Sequence, residues 1–347
     1  FAIYSFARAH WGKAQALWSA LILLTSLEFF LFARLVIFDM ALTLLLTVAL
    51  SAFYYASHCE TLMRRRLLCL IMYSSLGAAT LVKGLIGIVV PGMVIFCYLL
   101  LTKRWSLLKR IDLVPGVLLY FAIVLPWYLA MDARHEGYLR YFFWDEHFGR
   151  FTSNNFDRAE PWYYFIFVGL VGLFPWTLLA PFLVAGFRRR AWDDRTLFLV
   201  LWVGLPFLFF SASASKLPHY ILPIFPALAV LIGSRLVSLF DQSLQRARRA
   251  LFLTWIAYGM VVLYFLIGFW QPAILPQAMV HGIAGMPYTL WFYGVVIVVL
   301  PLYFSMSKFP PPRQANIYLS QAVVVGGFLI FTAAMMNEVS SARPAKA

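Results

Sequence analysis

The residue that stands out chemically is Lys83, an ammonium inside the apolar stretch LGAATLVKGLIGIVVPG. At membrane depth such a charge costs roughly 3 kcal/mol unless it is paired or reaches water. Two readings stand side by side. Lys83 is either a lysine snorkelling from a helix end or a ligand for an anion. In the second case Gly84 lets the chain turn and bare its backbone, and the ammonium acts as a point charge for phosphate.

A second candidate is the stretch 132–160, DARHEGYLRYFFWDEHFGRFTSNNFDRAE, with six acidic residues, four arginines and two histidines. It is either a solvated connector or a working loop. Within it EHFGRF brings Glu146, His147 and Arg150 into one and a half helical turns. Glu146 and His147 are residue types that ligate a divalent ion such as zinc, although one His and one Glu are too few for a structural zinc site. Arg150 has the planar fork that grips phosphate.

A third is SASASKLPHYILPIFP, where Lys216, His219 and Tyr220 stand just before an apolar run. This segment either caps a helix or lays Lys216 and Tyr220 across the mouth of a cavity. A fourth is Asp39, which either faces a hydrophilic cavity or ends a helix and pairs with Arg34. Glu28 lies deeper in the same apolar stretch, and its spacing names no partner.

The elements that carry these residues follow from composition. The chain has 347 residues, of which 63% are hydrophobic and 12% charged, with mean hydropathy +0.82. A soluble domain needs about twice that charge for its polar shell, so lipid is the expected solvent. Net charge is +14, but it falls in short clusters between apolar runs. That distribution excludes a nucleic-acid-binding face.

Apolar runs at 14–36, 41–58, 67–82, 84–101, 111–131, 161–186, 196–211, 220–240, 251–270, 288–306 and 317–336 predict an all-α transmembrane bundle of about eleven spans. The 67–101 stretch reads as two short, slanted spans. Lys and Arg clusters around 8–13, 64–66, 103–110, 188–195, 246–249 and 308–313 fall in alternate loops, which places those loops in the cytoplasm. The opposite face then holds Asp39, Lys83, the 132–160 loop, the 213–220 segment, the 271–287 loop and the C-terminus.

Trp and Tyr at 126–128 and 161–164 read as an interfacial belt. Pro175, Pro206, Pro223 and Pro226 predict kinked helices around a cavity. Cys59, Cys69 and Cys97 lack metal-ligand spacing and read as small hydrophobes. The transmembrane core is expected over 1–338, with 339–347 as the start of a further C-terminal segment on the non-cytoplasmic face. FAIYSFA reads as the last turns of a span that begins earlier.

Three cations (Lys83, Arg150, Lys216) and one acid (Asp39) thus face one non-cytoplasmic compartment. That set suits a ligand with an apolar tail and an anionic head, and a polyprenyl phosphate has both. Cytosolic nucleotide sugars would meet the wrong face.

The ordered set FDMALTLLLTVAL, LGAATLVKG, LPWY, EHFGRF, PWYYFIFVGLVGLFPW and SKLPHYILPIFPALAVL resembles the GT-C glycosyltransferases of the aminoarabinose transferase type, relatives of the protein O-mannosyltransferases. The similarity runs from about Trp11 to the C-terminus. It implies a multi-pass enzyme of the bacterial inner membrane that takes a sugar from undecaprenyl phosphate at the periplasmic face and places it on lipid A.

By the same resemblance Lys83 and Arg150 bind the donor phosphate, Lys216 and Tyr220 lie near the donor head group, and Asp39 is a supporting acid. His147, with Glu146, would be associated with a divalent metal. The family's principal acidic motif, in a first periplasmic loop, has no counterpart here. The catalytic carboxylate is therefore expected upstream of Phe1; otherwise the chain is an inactive remnant. The expected chemistry is inverting: the acceptor oxygen attacks the anomeric carbon while cations hold the departing phosphate. Two rival readings are a transporter or flippase for an anionic lipid, with the same cations and no acid or metal, and a protein O-mannosyltransferase with a Ser/Thr peptide acceptor.

Overall fold

A computed structural model describes residues 1–33, 35, 37–142, 144, 160–174, 176–179 and 192–242. These form eleven α-helices and three short 3-10 helices. In chain order the α-helices are α1 (Ala2–Trp11), α2 (Lys13–Thr25), α3 (Leu27–Phe32), α4 (Phe38–His58), α5 (Leu62–Lys83), α6 (Ile86–Thr102), α7 (Leu113–Arg134), α8 (Tyr138–Arg140), α9 (Tyr164–Gly172), α10 (Asp194–Ala212) and α11 (Phe225–Gln242). The chain divides into two compact units, residues 1–174 with 187–237, and residues 175–186 with 238–347. In the second unit the described residues are the 3-10 turn Trp176–Leu179 and the last residues of α11.

The all-α expectation holds, but the count of about eleven spans does not. Among the described residues five helices are long and apolar enough to cross a membrane: α4, α5, α7, α10 and the continuous stretch Pro218–Ser238. The runs at 251–270, 288–306 and 317–336, and the segment 339–347, lie outside the described residues. The run at 14–36 is not one span. It breaks at Ser26, whose backbone is extended (φ −65°, ψ 126°). There the Thr25 and Ser26 hydroxyls donate back to the Leu21 and Ile22 carbonyls, each at 2.7 Å. Such back-bonding offers the backbone an alternative to the helix ladder. The Leu27 N–H then leaves the helix altogether and donates to Phe174 O at 3.1 Å. The run at 161–186 contains only the nine-residue α9 and the Trp176–Leu179 turn before its description stops, and α6 is seventeen residues long.

Lipid tails are as apolar as leucine, so close backbone approach and polar contacts hold such helices together. α4 is the central helix, burying Leu42, Leu46, Ala49, Leu50, Phe53 and Tyr54. α7 is peripheral, with Val114, Leu118, Phe121, Leu125 and Leu129 exposed. It is fastened to α5 by polar contacts at one level: Tyr128 OH donates to Thr80 O at 3.1 Å, and the Thr80 hydroxyl lies 3.1 Å from Tyr120 OH.

Between α5 and α6 the chain reverses at Gly84, whose φ of 68° and ψ of −146° fall in a region open essentially to glycine. The reversal is so tight that a Cβ on Gly87 would lie 2.4 Å from Thr80 N and 2.5 Å from Ala79 C. Proline is carried at Pro91 in α6, Pro126 in α7 and Pro206 in α10. Pro218 and Pro223 instead belong to a 3-10 helix, Pro218–Ile224, which leads into α11.

Contacts sort cleanly to the two helix ends. At the end that the loop charges assign to the cytoplasm, Asp194 at the start of α10 accepts from Tyr98 OH (2.8 Å), Tyr54 OH (3.1 Å) and Arg104 (2.9 Å), with His58 Nε2 at 3.2 Å. One carboxylate thereby ties α4, α6 and α10 together. Asp193 caps α10 by accepting the Thr196 N–H at 3.0 Å, and Arg195 reaches the His10 carbonyl at the end of α1. A cavity of about 470 Å³ lies among these side chains.

Gly87→Ala should lower stability by about 1–3 kcal/mol, because the added methyl meets backbone that cannot yield. Gly92→Ala, whose added Cβ meets nothing within 4 Å, should be neutral or slightly stabilising. Thermal melting of the two variants in detergent should therefore diverge in sign or nearly so.

Candidate anion-binding site

The geometry of an antiparallel hairpin builds the site. α4 has 21 residues and α5 has 22, joined across Cys59–Thr61. Because the arms are equal, the first turn of α4 returns beside the last turn of α5. Asp39 and Lys83 occupy those two turns. Each also sits at the helix end whose dipole favours its charge, worth about 0.3–1 kcal/mol apiece at exposed sites.

There Lys83 Nζ donates to Asp39 Oδ1 in an ion pair. The carboxylate is the more enclosed partner, 8% exposed against 23% for the lysine side chain. The Lys83 ammonium also lies 4.8 Å from the centroid of the Tyr220 ring, within cation–π range. His219 approaches from the Pro218–Ile224 helix, with Nε2 3.7 Å from Asp39 Oδ2. Its ring meets Phe32 edge-on at 5.5 Å and Tyr220 at 5.2 Å. Four elements therefore converge here: the starts of α4 and of the 3-10 helix, and the ends of α3 and α5.

Lys216 is placed differently from the residues around it. It is 6% exposed, and its ammonium donates to Ser213 O at 2.6 Å and Glu160 O at 2.8 Å. Ser213 is the residue that ends α10, so the cation sits where a helix C-terminus leaves its carbonyls open. Lys216 fastens the segment leading to His219 and Tyr220 onto residue 160. The structure gives it this anchoring contact, whereas Tyr220 does stand with Lys83.

Glu28 is 4% exposed, and neither carboxyl oxygen has a hydrogen-bond partner among the described residues. It presses against Gly172 of α9, where an added Cβ would lie 2.2 Å from Oε2. Glu146, His147, Arg150 and Arg34 lie outside the described residues. Among the described residues no group of three His, Cys, Asp or Glu side chains is placed to hold a metal ion.

Two residues here have roles that the sequence does not assign. His219 joins the Asp39 pair, and its adjacency to Tyr220 in SKLPHYILP was the available signal. Asp194 has no local signature, because its partners lie 90 to 140 residues away.

A half-enclosed ion pair with an aromatic platform, at one end of a bundle with helices apolar enough to cross a membrane, is a geometry suited to an anionic ligand. Comparison with known proteins carries this further. The family described as dolichyl-phosphate-mannose-protein mannosyltransferase matches residues 1–129. An undecaprenyl phosphate-alpha-4-amino-4-deoxy-L-arabinose arabinosyl transferase of Aeromonas salmonicida is 36% identical over 220 residues, covering 61% of this chain and 39% of the relative. A protein of the same description from Aeromonas hydrophila subsp. hydrophila is 34% identical over 252 residues, 71% of this chain and 45% of the relative.

The crystal structure of ArnT from Cupriavidus metallidurans bound to undecaprenyl phosphate superposes with a TM-score of 0.73 at 27% identity. That match covers 98% of this chain and 59% of the other. The chain spans about two fifths of the length of the curated relatives it matches. Its likeness over nearly its whole length is to the GT-C superfamily, and among the described residues five helices are long and apolar enough to cross a membrane. Within that superfamily its likeness is to the ArnT and protein mannosyltransferase types.

If Lys216 anchors a loop, Lys216→Met leaves the buried Ser213 carbonyl and the Glu160 carbonyl without their cation. The ligand-free variant should then melt at lower temperature and be cleaved faster by protease at 213–217. A lysine that only binds ligand would leave the ligand-free protein unchanged.

Proposed function

We propose that this chain forms part of a glycosyltransferase that takes a sugar from undecaprenyl phosphate and passes it to lipid A at the periplasmic face. The observation that carries the reading is Lys83. Its ammonium stands at a membrane-embedded helix end, the more exposed member of its ion pair, over the Tyr220 ring. The likeness to a protein solved with undecaprenyl phosphate supports it, as do relatives described as aminoarabinose transferases.

In the proposed reaction the acceptor oxygen attacks the anomeric carbon in line. The bond from that carbon to the phosphate oxygen breaks, and the electron pair leaves with the phosphate. Lys83 offsets the negative charge that grows there, an effect worth several kcal/mol when the cation is already in place. Arg150 would share the phosphate. Asp39 acts as a supporting acid by fixing Lys83 between turns of transfer. Tyr220 offers an apolar, electron-rich face beside the donor head. A divalent ion at His147 and Glu146 is part of the proposal, and no step above depends on it.

Lys83→Ala, made in the full-length protein, should abolish transfer from a labelled polyprenyl-phosphate sugar to lipid A while the variant still folds and inserts. Normal transfer by that variant would overturn the assignment of Lys83. Sugar appearing on a Ser/Thr peptide instead of lipid A would replace the acceptor. Lipid crossing the bilayer with no transfer at all would point to a flippase.

A further inference from the structure

We infer that His219 is a positioning residue that receives the Asp39 carboxylate when Lys83 turns to the donor phosphate. The inference rests on the reading of Lys83 as the phosphate ligand. One ammonium cannot serve two anions equally, and in the ligand-free structure it is committed to Asp39. A phosphate arriving from the aqueous side meets the more exposed lysine first and must compete with the carboxylate for it. The exchange strands Asp39, whose side chain is only 8% exposed. An enclosed carboxylate that loses its cation is strongly destabilised, so the exchange needs a second partner already at hand.

The geometry supplies one. Lys83 takes Oδ1, and His219 Nε2 stands 3.7 Å from the other oxygen, Oδ2. That is about 1 Å beyond the length of a charge-assisted hydrogen bond. A small side-chain adjustment closes the gap without moving backbone. The imidazole is already aimed, because Phe32 and Tyr220 meet its ring at 71° and 83°. Pro218 opens the 3-10 helix just before it and limits how far the segment can swing. Tyr220, 4.8 Å from the ammonium, gives Lys83 an aromatic surface to move across. Asp39 thus passes from one cationic partner to a second donor as the ligand enters.

The test is a double-mutant cycle on binding in the purified full-length protein. The probe is a farnesyl methyl phosphodiester, whose charge is constant across neutral pH. His219→Leu, which has no N–H to offer, should weaken its affinity about tenfold, the scale of one hydrogen bond to a charged group. In an Asp39→Asn background, where no carboxylate competes for Lys83, the same substitution should change affinity by less than about twofold. Asp39→Asn alone should bind the probe at least as well as the parent. His219→Arg, which still offers N–H donors to Asp39, should restore binding.

An equal loss from His219→Leu in both backgrounds would overturn the inference, making His219 a direct ligand or a packing residue. So would no loss in either background, or weaker binding by Asp39→Asn. Thermal melting checks each variant's fold, and His219→Met replaces Leu in the cycle if the latter does not fold. Lys83→Gln is the separate control: if it binds the probe as the parent does, the phosphate reading of the site falls, whatever His219 does.

Discussion

The Asp39–Lys83 ion pair is the constraint to which the surrounding architecture answers. Two opposite charges at membrane depth are best kept together, since each offsets the cost of burying the other. That requirement fixes the register of α4 against α5, since a slip of one turn would separate the charges by about 5 Å. It also explains why the turn after Lys83 is so closely held. Gly84 and Gly87 press the start of α6 against the backbone of α5, so the lysine's Cα has little freedom and only its side chain can move.

Much of this was legible in the sequence where composition alone decides structure. The runs at 41–58, 67–82, 111–131 and 196–211 correspond to α4, α5, α7 and α10, with ends shifted by a few residues. The alternation of basic loops matches the sorting of contacts to two ends, with Asp194, His58 and Arg104 together at one and Asp39, Lys83 and His219 at the other. The Asp39–Lys83 contact was itself within reach, because equal arms about residue 60 bring those positions side by side.

Other features depend on partners that no local pattern encodes. The 14–36 run is long and mostly apolar, and its interruption rests on two hydroxyls and on a carbonyl nearly 150 residues away at Phe174. Lys216 carries the same charge and the same neighbours in sequence whether it meets a ligand or two backbone oxygens. Only the position of Glu160 decides that. Glu28 shows the converse, since its tight seat depends on the lack of a side chain at Gly172. A residue type announces what chemistry is available, while long-range packing decides which of it is used.

The carboxylate of Asp194 has a consequence for how the bundle assembles. Its partners Tyr98, His58 and Tyr54 precede it by 96, 136 and 140 residues. During synthesis those helices enter the membrane well before α10 exists. Until then two phenols, an imidazole and a guanidinium at the cytoplasmic rim share no acid. Contacts of such long sequence separation form late, so the arrival of α10 is the step that locks the early helices. Emergence of one aspartate thereby acts as a timer for the bundle, and the Ser213–Tyr220 segment that completes the opposite end is delivered by the same helix immediately afterwards.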